Sequence, residues 1–153
     1  MPPFSRRIIV AAVPIAALRI QRALADQDVF IVRTITEAAV ALKNEAFRLA
    51  IFGLYFDESR MFELSTVARA SELNRATPIL CVQGLRRLTA ATVRGLEQTI
   101  RAMGYGWLDI AAIADDEAGT ALLRESILRH LPPDPFAAGG SGPGEIPEPR
   151  KPS

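Results

Sequence analysis

The chain has 153 residues, 49% of them hydrophobic, which is one domain's worth of sequence and enough to bury a full core. Eighteen Lys and Arg against 17 Asp and Glu leave a formal charge of +1, so no global field draws the protein onto nucleic acid or an anionic membrane, and charged recognition has to be local. The single cysteine, Cys81, cannot form an internal disulfide, and its apolar setting PILCV reads as a buried strand thiol in a reducing compartment rather than a redox centre.

Residues 7–13 (RIIVAAV) form an apolar, partly β-branched run without alternation, as in a strand covered on both faces. With Arg6-Arg7 before it and Ala23-Leu24-Ala25 after it, the region imitates a signal peptide. Pro14, Arg19 and Arg22 interrupt that imitation, and the apolar run falls well short of the roughly 20 residues of a membrane span. Pro14 opens a first helix that should reach about Ala25, with Ile15, Leu18, Ile20 and Leu24 as its apolar positions. Residues 29–32 (VFIV) make a second strand. Thr34 and Glu37 then stand three apart before AAVAL, the reciprocal capping pattern that starts a helix, which should end near Asn44.

Residues 49–56 (LAIFGLYF) are a third apolar run, followed by Asp57, Glu58 and Ser59, residues suited to cap the next helix. That helix carries Met61, Leu64, Val67, Ala68 and Leu73. Residues 78–83 (PILCVQ) give the fourth strand. A long fourth helix from about Arg86 to Met103 should bury Val93, Leu96, Ile100 and Met103 and stop at Gly104. Residues 107–110 (WLDI) are a short fifth strand. Asp115 and Asp116 cap a last helix holding Leu122, Leu123, Ile127 and Leu128. Strand and helix alternating in this way, with connections too long for hairpins, predict a parallel sheet with helices on both faces. Residues 1–131 form the expected domain, with its folded part beginning near Ser5. Residues 132–153, rich in Pro, Gly and Ser, should form a flexible tail.

The order of elements and the strings RIIVAAV, LAIFGLYFDESRMFEL and TPILCVQG resemble the response-regulator receiver family, with MGYGWLDI a looser fit to its fifth strand. The likeness spans about residues 7–130. It implies a flavodoxin-like (βα)5 doubly wound fold, strand order 2-1-3-4-5, with the site at the carboxyl ends of the strands, and a bacterial cytoplasmic location. The family's phosphotransfer needs two acids after the first strand to hold Mg²⁺ and an Asp ending the third to accept phosphorus. The corresponding positions here are Ala11, Ala12 and Gly53. Gln83 stands where the family has a Thr or Ser, and Ile110 or Ala111 where it has a Lys. The expectation is a degenerate pseudo-receiver with no phosphorylation site, no catalytic residue, no metal, no cofactor and no enzymatic activity. Asp57 and Glu58, four and five residues past Gly53, read as helix caps rather than as a displaced acceptor.

What remains is surface. Arg87, Arg94 and Arg101 recur every seven residues along one face of the fourth helix. The resemblance implies that the fourth helix, fifth strand and fifth helix form a surface for partners or a homodimer, to which Tyr105 and Trp107 at the start of the fifth strand would belong. A solvated helix face explains the same arginines, and Trp107 reads equally as a core anchor. His130, the only histidine, lies in the last turn of the last helix, where a cation suits the helix dipole, and has no ligand partner at metal spacing. Ser59 and Ser65 lack the turn and the base of a catalytic serine. The leading functional expectation is a two-component signalling or scaffold module acting by protein–protein contact, with no direct nucleic-acid or membrane binding. The alternative is a small-molecule or anion sensor using a vacant pocket around Gly53 and Gln83, although AAVPIAAL offers no Gly-rich nucleotide loop.

Overall fold

The computed structural model describes residues 7–84 and 88–132. Arg6, Arg86, Arg87 and the tail from residue 133 onward lie outside them, so the expectations attached to those positions do too. The strands are β1 (Ile8–Ala11), β2 (Val29–Val32), β3 (Leu49–Gly53), β4 (Ile79–Gln83) and β5 (Gly106–Asp109). The helices are α1 (Pro14–Ala23), α2 (Ile35–Asn44), α3 (Met61–Ala70), α4 (Ala90–Ala102) and α5 (Glu117–Leu128). All strand pairs are parallel, in the order β2-β1-β3-β4-β5. This is the flavodoxin-like α/β arrangement that the sequence pattern and the resemblance predict.

The central strands read as unbroken apolar runs because both faces are covered. Residues of β1 and β3 alternate between two cores: Ile9, Ala11, Ala50 and Phe52 face α2 and α3, while Ile8, Val10, Leu49 and Ile51 face α1 and α5. At the amino edge, buried Asn74 ties the layers together. Its amide donates to the carbonyls of Leu42 (2.6 Å) and Glu45 (2.8 Å), and its oxygen accepts from the Phe47 N–H (2.8 Å) and the Thr77 hydroxyl (3.0 Å). Both hydrogen-bonding ends of that side chain are satisfied, as burial requires.

Several local expectations are corrected. Helix α1 buries its small residues, Ala16, Ala17 and Ala23, with Ile20, whereas Ile15 and Leu18 are 58% and 51% exposed. Alanines let the helix approach the sheet closely beside Ile20, while Ile15 and Leu18 fall on the other side. Helix α4 begins at Ala90, not near Arg86, because the Thr89 hydroxyl accepts the Thr92 N–H as an N-cap. Met103 is its exposed C-cap rather than a core residue, while Gly104, at φ 85°, takes the left-handed conformation that ends the helix. Strand β5 starts one residue early, and Ile110 opens a 3₁₀ turn (Ile110–Ala112) instead of closing the strand. Only Asp116 caps α5, accepting from the Gly119 N–H at 2.7 Å. Asp115 pairs with Arg22 at 2.9 Å, and Leu122 is exposed. Helix α5 ends at Leu128, leaving His130 in the turn beyond it. Among the described residues no helix is long and apolar enough to cross a membrane.

Candidate functional site

The carboxyl edge of the sheet gathers Ala11, Ala12, Gly53 and Gln83, which end or immediately follow β1, β3 and β4. They meet at this edge, and the approach there is close. A Cβ built on Gly53 would lie 3.0 Å from Ala12 Cα and 3.1 Å from Ala12 Cβ, inside the roughly 3.5–4.0 Å of ordinary carbon contact. One built on Gly84 would lie 3.0 Å from Ala16 Cβ. At Gly53 the backbone and methyl of Ala12, and at Gly84 the methyl of Ala16, occupy part of the space that a side chain would fill. Gln83 is fully buried and donates from Nε2 to Asp109 Oδ1 at 3.0 Å, across the β4–β5 register that sets these two residues side by side.

A divalent cation does not fit this edge. Ala11, Ala12 and Gly53 offer no side-chain oxygen, and among the described residues no three His, Cys, Asp or Glu side chains converge on a point that could hold a metal.

The segment after Gly53 departs from the expected helix cap. Phe56 is buried, and Asp57, Glu58 and Ser59 follow at φ 44°, 62° and 66°, three successive left-handed residues of which none is glycine. Each such residue costs about 1–2 kcal/mol, so other contacts must hold the turn. One is visible. Asp57 Oδ2 accepts the N–H of Ile35 at 2.8 Å, filling an orphan donor in the first turn of α2, 22 residues back in sequence. Asp57 therefore caps α2 and not α3, whose own N-terminus at Arg60 has no side-chain cap. The expected reciprocal pattern at α2 is likewise shifted: Thr34 accepts from the Glu37 N–H, but the Glu37 carboxylate reaches the N–H of Arg33, one residue before the cap.

Beside this turn lies a cleft of about 330 Å³ between α1 and the end of β2. Its walls are mostly apolar, including Ala17, Leu18, Ile31 and Phe56, with Gln21, Arg33 and Asp57 as polar members. Of the four expected pocket residues only Ala12 lines it. On the opposite side of α1, the Arg19 side chain is 11% exposed and donates to the carbonyls of Ile110 (3.0 Å), Ile113 (2.9 Å) and Ala114 (2.9 Å), clasping the β5–α5 connection to α1. Nothing local in the sequence marks this role of Arg19, whose partners lie more than 90 residues away.

The expected interaction residues are not equivalent. Arg94 and Arg101 are exposed on α4, with Arg101 paired to Glu97 at 2.8 Å. Tyr105 is half-buried beneath the Arg69 guanidinium, 5.4 Å from its ring centroid. Trp107 is buried in the core with Phe52, Cys81 and Ile100, so it is a core anchor and not part of an exposed face. The His130 ring sits over Gly106, where a Cβ would come within 2.6 Å of it. Burial, Arg101 and Arg129 hold its pKa below the ordinary value of 6.5, opposing the cationic role that its position at a helix end suggests.

No protein-family model matches the sequence, and no curated protein does. Solved structures do resemble it. A response regulator from Hahella chejuensis superposes with a TM-score of 0.62 at 15% identity, covering 90% of this chain and all of that one. The chemotaxis response regulator CheY4 of Vibrio cholerae gives 0.63 at 20% identity over 84% of this chain and all of its own. The phosphorylated cyanobacterial phytochrome response regulator RcpA gives 0.61 at 14% identity, covering 83% of this chain and 94% of that one. The fold is therefore that of response-regulator receiver domains.

Proposed function

We propose that this chain is a receiver-fold signalling module that does not carry out phosphotransfer, has no catalytic activity of its own and works by protein–protein contact. The observation that carries the reading is the approach of Gly53 to Ala12. The positions that correspond to the family's acceptor and metal ligands hold no oxygen side chains, and at Gly53 the nearness of Ala12 crowds any side chain placed there. Asp57, the first acid after Gly53, is committed to the α2 amide. In this reading the module works in the bacterial cytoplasm.

The contact surface in this reading is α4 with β5 and α5. Only Ile100 of the thirteen residues of α4 is fully buried; Val93 and Leu96 are half-buried, and Arg94, Arg101 and Met103 are exposed. A helix so lightly held by its own domain, with apolar and cationic residues outward, suits an acidic partner surface or a second copy of the chain. Acetyl phosphate with Mg²⁺ should leave the intact mass unchanged, and an 80-Da gain would refute the phosphotransfer part of the reading. Light scattering across a concentration series should show association that Arg94→Glu/Arg101→Glu weakens; identical association in both proteins counts against this face. A second reading, a small-molecule sensor, is favoured by the cleft beside Ala12 and predicts a ligand-induced rise in melting temperature.

A further inference from the structure

We propose that the cleft between α1 and the end of β2 binds a small monocarboxylate with an apolar body, held by its head at Arg33 and by its body against Leu18 and Phe56. The inference deepens the sensor reading and rests on it.

Size comes first. About 330 Å³ is at the small end of the roughly 300–1,000 Å³ of ligand sites, so the occupant is a compact molecule and not a nucleotide. The lining then selects against a mineral anion. Ala17, Leu18, Ile31 and Phe56 would strip water from a phosphate or sulfate without replacing its hydrogen bonds, a penalty that a carboxylate avoids by keeping its charge at the rim and its apolar part inside. Leu18, half exposed at this rim, is the side chain such a body would cover.

Sign of charge comes from the rim. Arg33 is exposed, makes no ion pair among the described residues and carries a planar fork that matches a carboxylate. Helix α1 presents its positive end on the same side: its cap residue, Val13, lines the cleft and supplies no side-chain acceptor to the first turn. Of the lining residues only Asp57 is a carboxylate, and it already accepts the Ile35 N–H; the Glu37 carboxylate nearby accepts the Arg33 N–H. Two positive contributions against two carboxylates that are each already hydrogen-bonded favour an anionic head over an amine. Gln21, with donor and acceptor on one amide, can read a second polar group on the ligand without fixing its charge.

The test uses the full chain and three probes of one shape: phenylacetate, phenylacetamide and phenethylamine. Phenylacetate should raise the melting temperature saturably and shift the amide resonances of residues 17–18, 31–33 and 56–57, with the other two probes binding at least about tenfold more weakly. Arg33→Gln should remove that preference, and Leu18→Trp, which fills the cleft, should abolish binding while raising or preserving the melting temperature of the free protein. Equal binding of all three probes in the cleft, or an Arg33→Gln variant that keeps the preference, overturns the carboxylate inference and leaves a less selective ligand site. Absence of any shift at the cleft residues with all three probes overturns the inference and the sensor reading together.

Discussion

Replacing Gly53 by Ala should destabilise the protein by about 1–2 kcal/mol, although it adds apolar surface to the core. The added methyl would sit 3.0 Å from Ala12 Cα and 3.1 Å from Ala12 Cβ. One of these is a backbone atom in a segment clamped between β1 and α1, so it cannot move aside as a side-chain tip would. Overpacking of this kind costs about 1–3 kcal/mol. The loss of glycine's extra freedom in the unfolded chain returns about 0.4–1 kcal/mol, which leaves the net figure above. Gly95, on the exposed side of α4 with nothing within 4 Å of its Cβ position, is the matching control, and Gly95→Ala should stabilise by about 0.5–1 kcal/mol. Urea unfolding with unchanged slopes measures both. Ala12→Gly should rescue part of the Gly53→Ala loss in a double-mutant cycle, since it removes one of the two overlapping atoms. A Gly53→Ala midpoint at or above that of the unmodified protein would refute the argument that Ala12 crowds this position. Gly53→Asp, which restores the family's acceptor type, should be less stable still because a carboxylate joins the same overlap.

Arg19→Met should cost about 2–3 kcal/mol, because a nearly buried guanidinium leaves three carbonyls behind; hydrogen exchange at residues 110–114 should accelerate with little change in α2. Cys81, fully buried and with its thiol pushed up to about 12 by desolvation, should resist alkylation in the native protein and react only on unfolding; fast native labelling at neutral pH would contradict its place in the sheet. His130 gives a pH dependence. Its folded pKa is lowered from 6.5, so the unfolded chain binds the proton first, and its contribution to stability is complete above that value and declines as pH falls from 6.5 toward the folded pKa. Thermal melts between pH 7.5 and about 5 should show this decline, and His130→Gln should flatten it.

The legible part of the fold was the part that repeats. Strands β1, β3 and β4 are covered on both faces, so each appears as a continuous apolar run regardless of what covers it. Thr89 and Gly104 act within a few residues of themselves, although only Gly104 was read correctly as a boundary. The misread parts have causes that lie far along the chain. Hydropathy assigns Ile15 and Leu18 to the inner face of α1, yet close packing against the sheet selects Ala16 and Ala17, and a hydrophobic pattern cannot distinguish filling a core from fitting against it. Asp57 was read as the cap of the helix that follows it in sequence; in space it serves a helix that precedes it. At the site, residue types show which side chains are missing, but only the fold shows how closely Ala12 stands to Gly53 and Ala16 to Gly84.

The edge is held unevenly, which has a consequence for how a module of this kind could carry information. Between β4 and β5 the edge is stitched by Gln83 and Asp109, and the β5–α5 connection is clasped to α1 by Arg19. On the β2 side the strained turn is tied to α2 by the Asp57–Ile35 hydrogen bond, next to the cleft. Asp57→Ala should therefore loosen this side alone. The lost cap costs about 0.5–2 kcal/mol, and without it the left-handed conformations of residues 57–59 have one fewer contact to hold them. Hydrogen exchange should rise in residues 35–38 and 56–60 while residues 110–114 remain protected by Arg19. If exchange rises across the whole edge instead, the two sides form one cooperative unit, and a ligand in the cleft would then be positioned to alter the distant α4–β5–α5 face as well.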